Sequence, residues 1–251
     1  MSATIPAAAR VLELDVGNTR TKWRWLDADG EVLEAGALAR DAGLPWPEVP
    51  AQAPAVAVRV VSVAGPAHEE VLVRDLEALG FRTPRFARAA AAHGRLRSGY
   101  REPERLGADR WVALVAATAA TPGPCAVLDA GSAITFDMVA ADGRHEGGWI
   151  VPGLRLMRAA LLRDTAGVRF ASAPEGVALE PGCATAGAVL AGTAHMARDF
   201  ARARWEDFRA RNPEGVLFVT GGDGPQLADG LEGDVRCEPD LVLDGLRELF
   251  V

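Results

Sequence analysis

The tightest constraint on this chain is that its opening pattern returns 114 residues later. Leu12-Glu13-Leu14-Asp15-Val16-Gly17-Asn18 is answered by Ala126-Val127-Leu128-Asp129-Ala130-Gly131-Ser132. Thr135 to Val139 then falls where the next strand of the first copy lies, and Asp142-Gly143 answers Asp29-Gly30 one residue out of register. An internal repeat of this size marks a duplicated supersecondary unit. It predicts an α/β chain of two similar lobes with a nucleotide cleft between them, residues 1–120 and 121–251.

Local patterns fill in each copy. Arg10 to Asp15, Thr21 to Leu26 and Glu31 to Glu34 read as three short strands in a meander, the latter two joined through Asp27-Ala28-Asp29-Gly30. A Pro- and Ala-rich stretch from Leu44 to Ala55 reads as a connection, and the β-branched run Val56 to Val63 suits a buried parallel strand. His68 to Leu79 has helical spacing and a C-cap at Gly80. A short strand is predicted at Thr83 to Phe86, and a helix from Leu106 to Ala120 stopped by Pro122. Gly215 to Thr220 is a further strand leading into Gly221-Gly222, and Leu243 to Phe250 a closing helix.

Composition excludes several classes. Apolar residues are 49% and charged residues 24%, enough for a sizeable core. The net charge of −7 argues against a nucleic-acid partner or a polybasic membrane-surface protein. The stretch Trp111 to Leu128 is cut by Pro122, Gly123 and Pro124, too short for a spanning helix of about 20 residues. At the N-terminus Arg10 is followed at once by Glu13 and Asp15, unlike an export signal. Cys125, Cys183 and Cys237 lack C-x-x-C spacing and read as buried thiols of a reducing, cytoplasmic setting. His68, His93, His145 and His195 form no metal-binding spacing. Of the 27 basic residues, Lys22 alone is lysine, a compact point charge amid forked guanidinium groups.

Three glycine loops follow strands: Asp15-Val16-Gly17-Asn18-Thr19, Asp129-Ala130-Gly131-Ser132 and Thr220-Gly221-Gly222. Glycine there lets backbone N–H groups approach phosphate, and small hydroxyl or amide side chains add donors. Neither G-x-x-x-x-G-K-[ST] nor G-x-G-x-x-G occurs. A carboxylate at the end of each first strand suits a cation travelling with phosphates, since hard cations take oxygen ligands. A single D-x-G is an ordinary turn; two in matching places point to a nucleotide cleft. Between the copies lies Ser98 to Arg110, with Tyr100, the only tyrosine, and Asp109-Arg110 where a helix begins. Spacing leaves two readings open. Asp109 either caps the helix, or favours its dipole by an early negative charge, beside a solvated or paired Arg110; or it takes a proton from a hydroxyl while Arg110 grips a carboxylate.

In five motifs the sequence resembles the type III pantothenate kinases, the Bvg accessory factor family within the acetate and sugar kinase/Hsp70/actin superfamily. They are Asp15 to Lys22, Gly107 to Arg110, Asp129 to Thr135, Gly147 to Gly153 and Thr220 to Gly222, in order along the chain. The resemblance implies two ribonuclease H-like lobes. It implies that Asp15, Val16, Gly17, Asn18, Thr19, Arg20, Thr21 and Lys22 form the ATP-phosphate loop and that Ser132 touches ATP. By the same resemblance Asp109 accepts the proton, Tyr100, Gly107, Ala108, Asp109, Arg110 and Thr185 bind pantothenate, and Asp129 holds a monovalent cation. It further implies Mg-ATP, potassium or ammonium, a homodimer, and the first step of coenzyme A synthesis. Ser132 stands where the family usually has threonine, keeping the hydroxyl, and Gly182-Cys183-Ala184-Thr185 where it commonly has an Asn-Thr pair. The other readings are a kinase of the same fold for another small hydroxy acid, and a non-catalytic ATP-binding regulatory protein.

Overall fold

The computed structural model describes residues 5–39, 42–44, 55–169 and 179–250. Residues 45–54, most of the connection expected after Leu44, lie outside the described residues. The chain divides into two compact units: the described parts of Met1–Gly94, Tyr100–Ala116 and Leu241–Val251, and those of Arg95–Gly99 and Ala117–Asp240.

The first unit is built on β1 (Val11–Val16), β2 (Arg20–Leu26), β3 (Val32–Ala39), β4 (Ala57–Ser62) and β5 (Arg85–Phe86), in the order β3-β2-β1-β4-β5. Strands β1 to β3 are antiparallel, and β4 and β5 run parallel to β1. Alternation sends Leu12, Leu14 and Val16 to one face of β1, where they meet Trp23 and Trp25 of β2 and Leu72 and Leu76 of α1 (Pro66–Ala78). The opposite face of the sheet carries charge. Glu13 is fully buried and accepts hydrogen bonds from Arg24 (2.7 Å) and Arg59 (3.2 Å). Arg24 also reaches Asp244 at 2.6 Å, and Arg59 donates to the carbonyl of Phe250 at 2.9 Å.

Asp244 lies on the terminal helix, Leu241–Leu249, which packs on β1 and β4. The boundary drawn at 120/121 assigned this helix to the second lobe; it is part of the first unit. Gly245 makes its close seating possible, since a Cβ there would fall 2.0 Å from the carbonyl oxygen of Val112.

After the two-residue strands β6 (Ala92–His93) and β7 (Leu96–Arg97) comes α2 (Ala108–Ala120). The second unit repeats the plan with β8 (Cys125–Ala130), β9 (Ala133–Val139), β10 (His145–Pro152), β11 (Val216–Thr220) and β12 (Asp234–Cys237), in the order β10-β9-β8-β11-β12. Again the first three strands are antiparallel and the last two parallel to the first, the ribonuclease H-like arrangement. Helices α3 (Leu154–Asp164), α4 (Thr185–Arg211) and α5 (Gly224–Ala228) precede the terminal helix, α6. Phe136, Leu128 and Leu217 of the sheet pack with Trp205 and Phe208 of α4, whose rings stack at 5.9 Å. No helix among the described residues is long and apolar enough to cross a membrane. The three thiols are not all buried as expected: Cys125 is, whereas Cys183 and Cys237 are exposed at a helix entry and an edge strand.

Candidate active site

In the first unit the β1–β2 hairpin closes through Gly17 N–H donating to the Arg20 carbonyl at 3.0 Å. A Cβ on Gly17 would sit 3.1 Å from that same oxygen, so the tight turn favours glycine. Asn18, Thr19 and Arg20 are exposed at the tip, while Val16 and Thr21 are buried and anchor the two strands. Asp15 pairs across the ladder with Lys22, and Glu13 with Arg24. Side chains repeat every second residue, so Asp15 and Lys22 share the face that the buried Glu13–Arg24 pair holds rigid.

Tyr100, Gly107, Ala108, Asp109 and Arg110 come together in the same unit. The Gly107 carbonyl accepts the first helical bond of α2, from Trp111 N–H at 2.9 Å. Gly107 is therefore the N-cap and Asp109 the second helical residue, which corrects the reading of Asp109 as the cap. Its carboxylate accepts the Arg110 N–H at 2.7 Å, and a Cβ on Gly107 would come within 2.7 Å of that oxygen. Arg110 is buried, not solvated. It donates to the Tyr100 hydroxyl at 2.9 Å and lies over the tyrosine ring, 5.7 Å from its centre. A carboxylate and a guanidinium on consecutive residues, with a phenol on the guanidinium, can hold a small molecule carrying both hydroxyl and carboxylate.

In the second unit the repeated hairpin closes one residue earlier, Gly131 N–H to Ala133 carbonyl at 2.9 Å. That deletion explains the slip in register after the first strand of the repeat. Asp129 pairs with Thr135 on β9 and with Thr220 on β11. Gly221 follows Thr220 with φ +84°, and a Cβ there would lie 2.5 Å from the Asp129 carboxylate and 2.4 Å from the Ala130 carbonyl. Gly153 N–H donates to the Ser132 carbonyl at 3.1 Å, and its own Cβ would overlap the Gly131 carbonyl. Asp129, Gly131, Ser132, Gly153 and Gly221 thus converge at the carboxyl ends of β8 and β11, where ligands of α/β sheets bind.

Gly148, within the Gly147 to Gly153 motif, has a packing role that its sequence does not show. A Cβ there would fall 2.3 Å from a carboxylate oxygen of Asp137, which is buried with His145 at 2.9 Å. Thr185 is the first residue of α4 and is exposed. Gly182 allows the approach to that helix, since its Cβ would meet the Ala188 nitrogen at 2.2 Å.

Comparisons with known proteins agree in family and in fold. The sequence profile of the type III pantothenate kinases matches residues 11–206. A type III pantothenate kinase of Pseudomonas aeruginosa is 40% identical over 241 residues, 94% of this chain and 97% of the relative. One from Halorhodospira halophila is 38% identical over 246 residues, covering 94% and 95%. Among solved structures, a Campylobacter jejuni protein assigned to the Baf family of transcriptional activators superposes with TM-score 0.60 at 20% identity, over 95% of this chain and 96% of its own. A Sinorhizobium meliloti protein assigned as a 2-dehydro-3-deoxygalactonokinase gives 0.53 at 15% identity, over 94% and 97%. These two likenesses carry the fold alone. With five motifs in order, four at a strand end, hairpin or helix start and the fifth along β10, the chain belongs to the type III pantothenate kinase family.

Proposed function

We propose that this protein transfers the γ-phosphoryl group of ATP to the primary hydroxyl of pantothenate, giving 4'-phosphopantothenate in the first step of coenzyme A synthesis. The observation that carries the proposal is the first turn of α2, where Asp109 and the buried, Tyr100-bonded Arg110 stand side by side in a chain of this family.

In this reading Arg110 and Tyr100 hold the substrate carboxylate, and Asp109 orients the hydroxyl and takes its proton late in a loose transition state. Gly107 and Ala108 give the substrate a close approach to the helix start, and Thr185 completes its site. The β1–β2 hairpin, Asp15 to Lys22, receives the phosphates of Mg-ATP; its exposed turn supplies backbone N–H groups and Lys22 a point charge. Ser132 contacts ATP from the second hairpin. Asp129 suits a monovalent cation because its carboxylate and the Ala130 carbonyl oxygen both border the space that a Cβ on Gly221 would fill, and hard cations prefer oxygen donors. Bound there, a potassium or ammonium ion would offset phosphate charge. The protein works as a cytoplasmic homodimer.

Steady-state assays of ATP consumption test this, with pantothenate set against other small hydroxy acids and sugars, each with and without potassium. Potassium-dependent turnover confined to pantothenate is the expected result. Preference for a different hydroxy acid would transfer the same machinery to another substrate, and no turnover with any acceptor would end the kinase reading.

A further inference from the structure

Residue Arg95 has no part in the motifs above, yet its guanidinium bonds four backbone carbonyls. Its Nε donates to the Thr118 carbonyl at 3.2 Å, and one terminal nitrogen donates to the carbonyls of Thr121 at 2.9 Å and Gly123 at 2.6 Å. The other terminal nitrogen faces the Ala141 carbonyl at 3.5 Å. Three of these acceptors belong to the last turn of α2 and the chain leaving it. That end of α2 has no basic residue of its own and runs straight into Pro122 and Pro124. Helix C-termini leave carbonyls without helical partners and carry partial negative charge. Arg95 supplies both the donors and the positive charge from outside the helix.

The backbone of Arg95 is fixed as well. Gly143, in the β9–β10 turn, has φ +86°, and a Cβ on it would lie 2.1 Å from the Arg95 carbonyl oxygen. Arg97 N–H donates to the Gly143 carbonyl at 2.9 Å, and a Cβ on Gly99 would meet the His145 carbonyl at 2.0 Å. The main chain of residues 95–99 is therefore seated on the β9–β10 turn while the Arg95 guanidinium grips the end of α2. One residue further on is Tyr100, bonded to Arg110. Asp109 and Arg110 occupy the opposite end of α2, about 13 Å of rigid helix from Thr118.

We infer that Arg95 is a positioning residue for phosphoryl transfer, fixing from its carboxyl end the helix that presents Asp109 and Arg110. The inference rests on the roles proposed for those two residues. Its physical content is leverage: a helix released at one end can shift or rotate along its axis. A misplacement of about 1 Å at the reacting groups costs on the order of 100-fold in rate.

The test compares Arg95→Met, which keeps the length of the side chain and loses every donor, with Arg95→Lys, which restores the charge. Arg95→Met is expected to lower kcat/KM for pantothenate about tenfold or more, with the KM for ATP within about twofold of the parent, and Arg95→Lys to recover much of the loss. Hydrogen exchange supplies a readout independent of substrate: the amides of Arg110, Trp111 and Val112 should exchange faster in Arg95→Met, although the substitution lies at the far end of the helix. Should Arg95→Met fail to fold, Arg95→Lys is read by the same two measurements and is expected to show the same pattern more weakly. Unchanged exchange at those amides, or ATP and pantothenate kinetics declining in step, would overturn the inference. So would a lower melting temperature with kinetics intact. Turnover of pantothenate by the parent protein tests the underlying kinase reading separately.

Discussion

Two carboxylates bond the same guanidinium, and removing their charges should carry very different costs. Glu13 and Asp244 both bond Arg24, at 2.7 and 2.6 Å. Burial lowers the pKa of Arg24, but Asp244 and Glu13 together outweigh that and hold it above the ordinary guanidinium value. The Glu13 side chain is 0% exposed and that of Asp244 47%. Breaking one side of a buried pair costs about 3–5 kcal/mol, because the remaining charge is left in a poorly solvated site. Glu13→Gln keeps the shape and one acceptor, and Asp244 still faces Arg24, so the lower end, about 3 kcal/mol, is expected. Asp244→Asn should cost under about 1 kcal/mol, as exposed pairs do. In a chain of this size each kcal/mol moves Tm by about 2–4 °C, giving a fall of roughly 6–12 °C for Glu13→Gln against a few degrees at most for Asp244→Asn. Calorimetric scans at low and high ionic strength check the origin, since salt screens the exposed pair and leaves the buried one largely untouched. Equal, small shifts for the two variants would refute the argument that burial sets the cost.

Three further outcomes follow from the site. Lys22→Ala should raise the KM for ATP by about tenfold or more through loss of a charge-assisted contact, with Tm little changed; an unaltered ATP dependence would make Lys22 an ordinary strand charge. Asp129→Asn should abolish most activation by potassium, read as rate against potassium concentration at saturating substrates, and a curve matching the parent's would place the cation elsewhere. In thiol labelling followed by mass spectrometry, exposed Cys183 and Cys237 should react in the folded protein. Cys125 should react only on unfolding, because burial pushes its thiol up to about 12 against the pull of Arg95.

The repeat was the most legible part of the fold, since strand, aspartate, glycine and turn recur in order and the two sheets share one strand order. Even the one-residue slip between Gly30 and Gly143 has a visible cause in the shorter second hairpin. Helix α4 was not legible as a helix. Its buried face is largely Ala191, Ala194, Ala197 and Ala201, and alanine marks an apolar stripe too weakly to reveal the period before Trp205 and Phe208. Strand β10 was hidden by Gly147 and Gly148, residues that weaken a strand pattern; Gly147 is needed for its φ of +99°, and Gly148 because Asp137 and the β9 backbone crowd it. The place of α6 depends on Arg24 meeting Asp244, 220 residues later, which no local window contains. At the site, spacing put Asp109 in the first turn of α2 but could not separate cap from base. The Gly107 carbonyl, which takes the first helical bond, decided that Asp109 is not the cap.

The central claim is that Asp109 serves the transfer of a phosphoryl group to pantothenate. The most direct measurement is kcat for Asp109→Asn with saturating ATP, pantothenate and potassium at neutral pH. Asparagine keeps size and polarity and can still accept the Arg110 N–H, so Tm should move little. A fall of at least about 100-fold in kcat is expected, with ATP binding nearly unchanged. Near-normal turnover by the Asn variant would contradict it and reduce Asp109 to a stabiliser of the helix start.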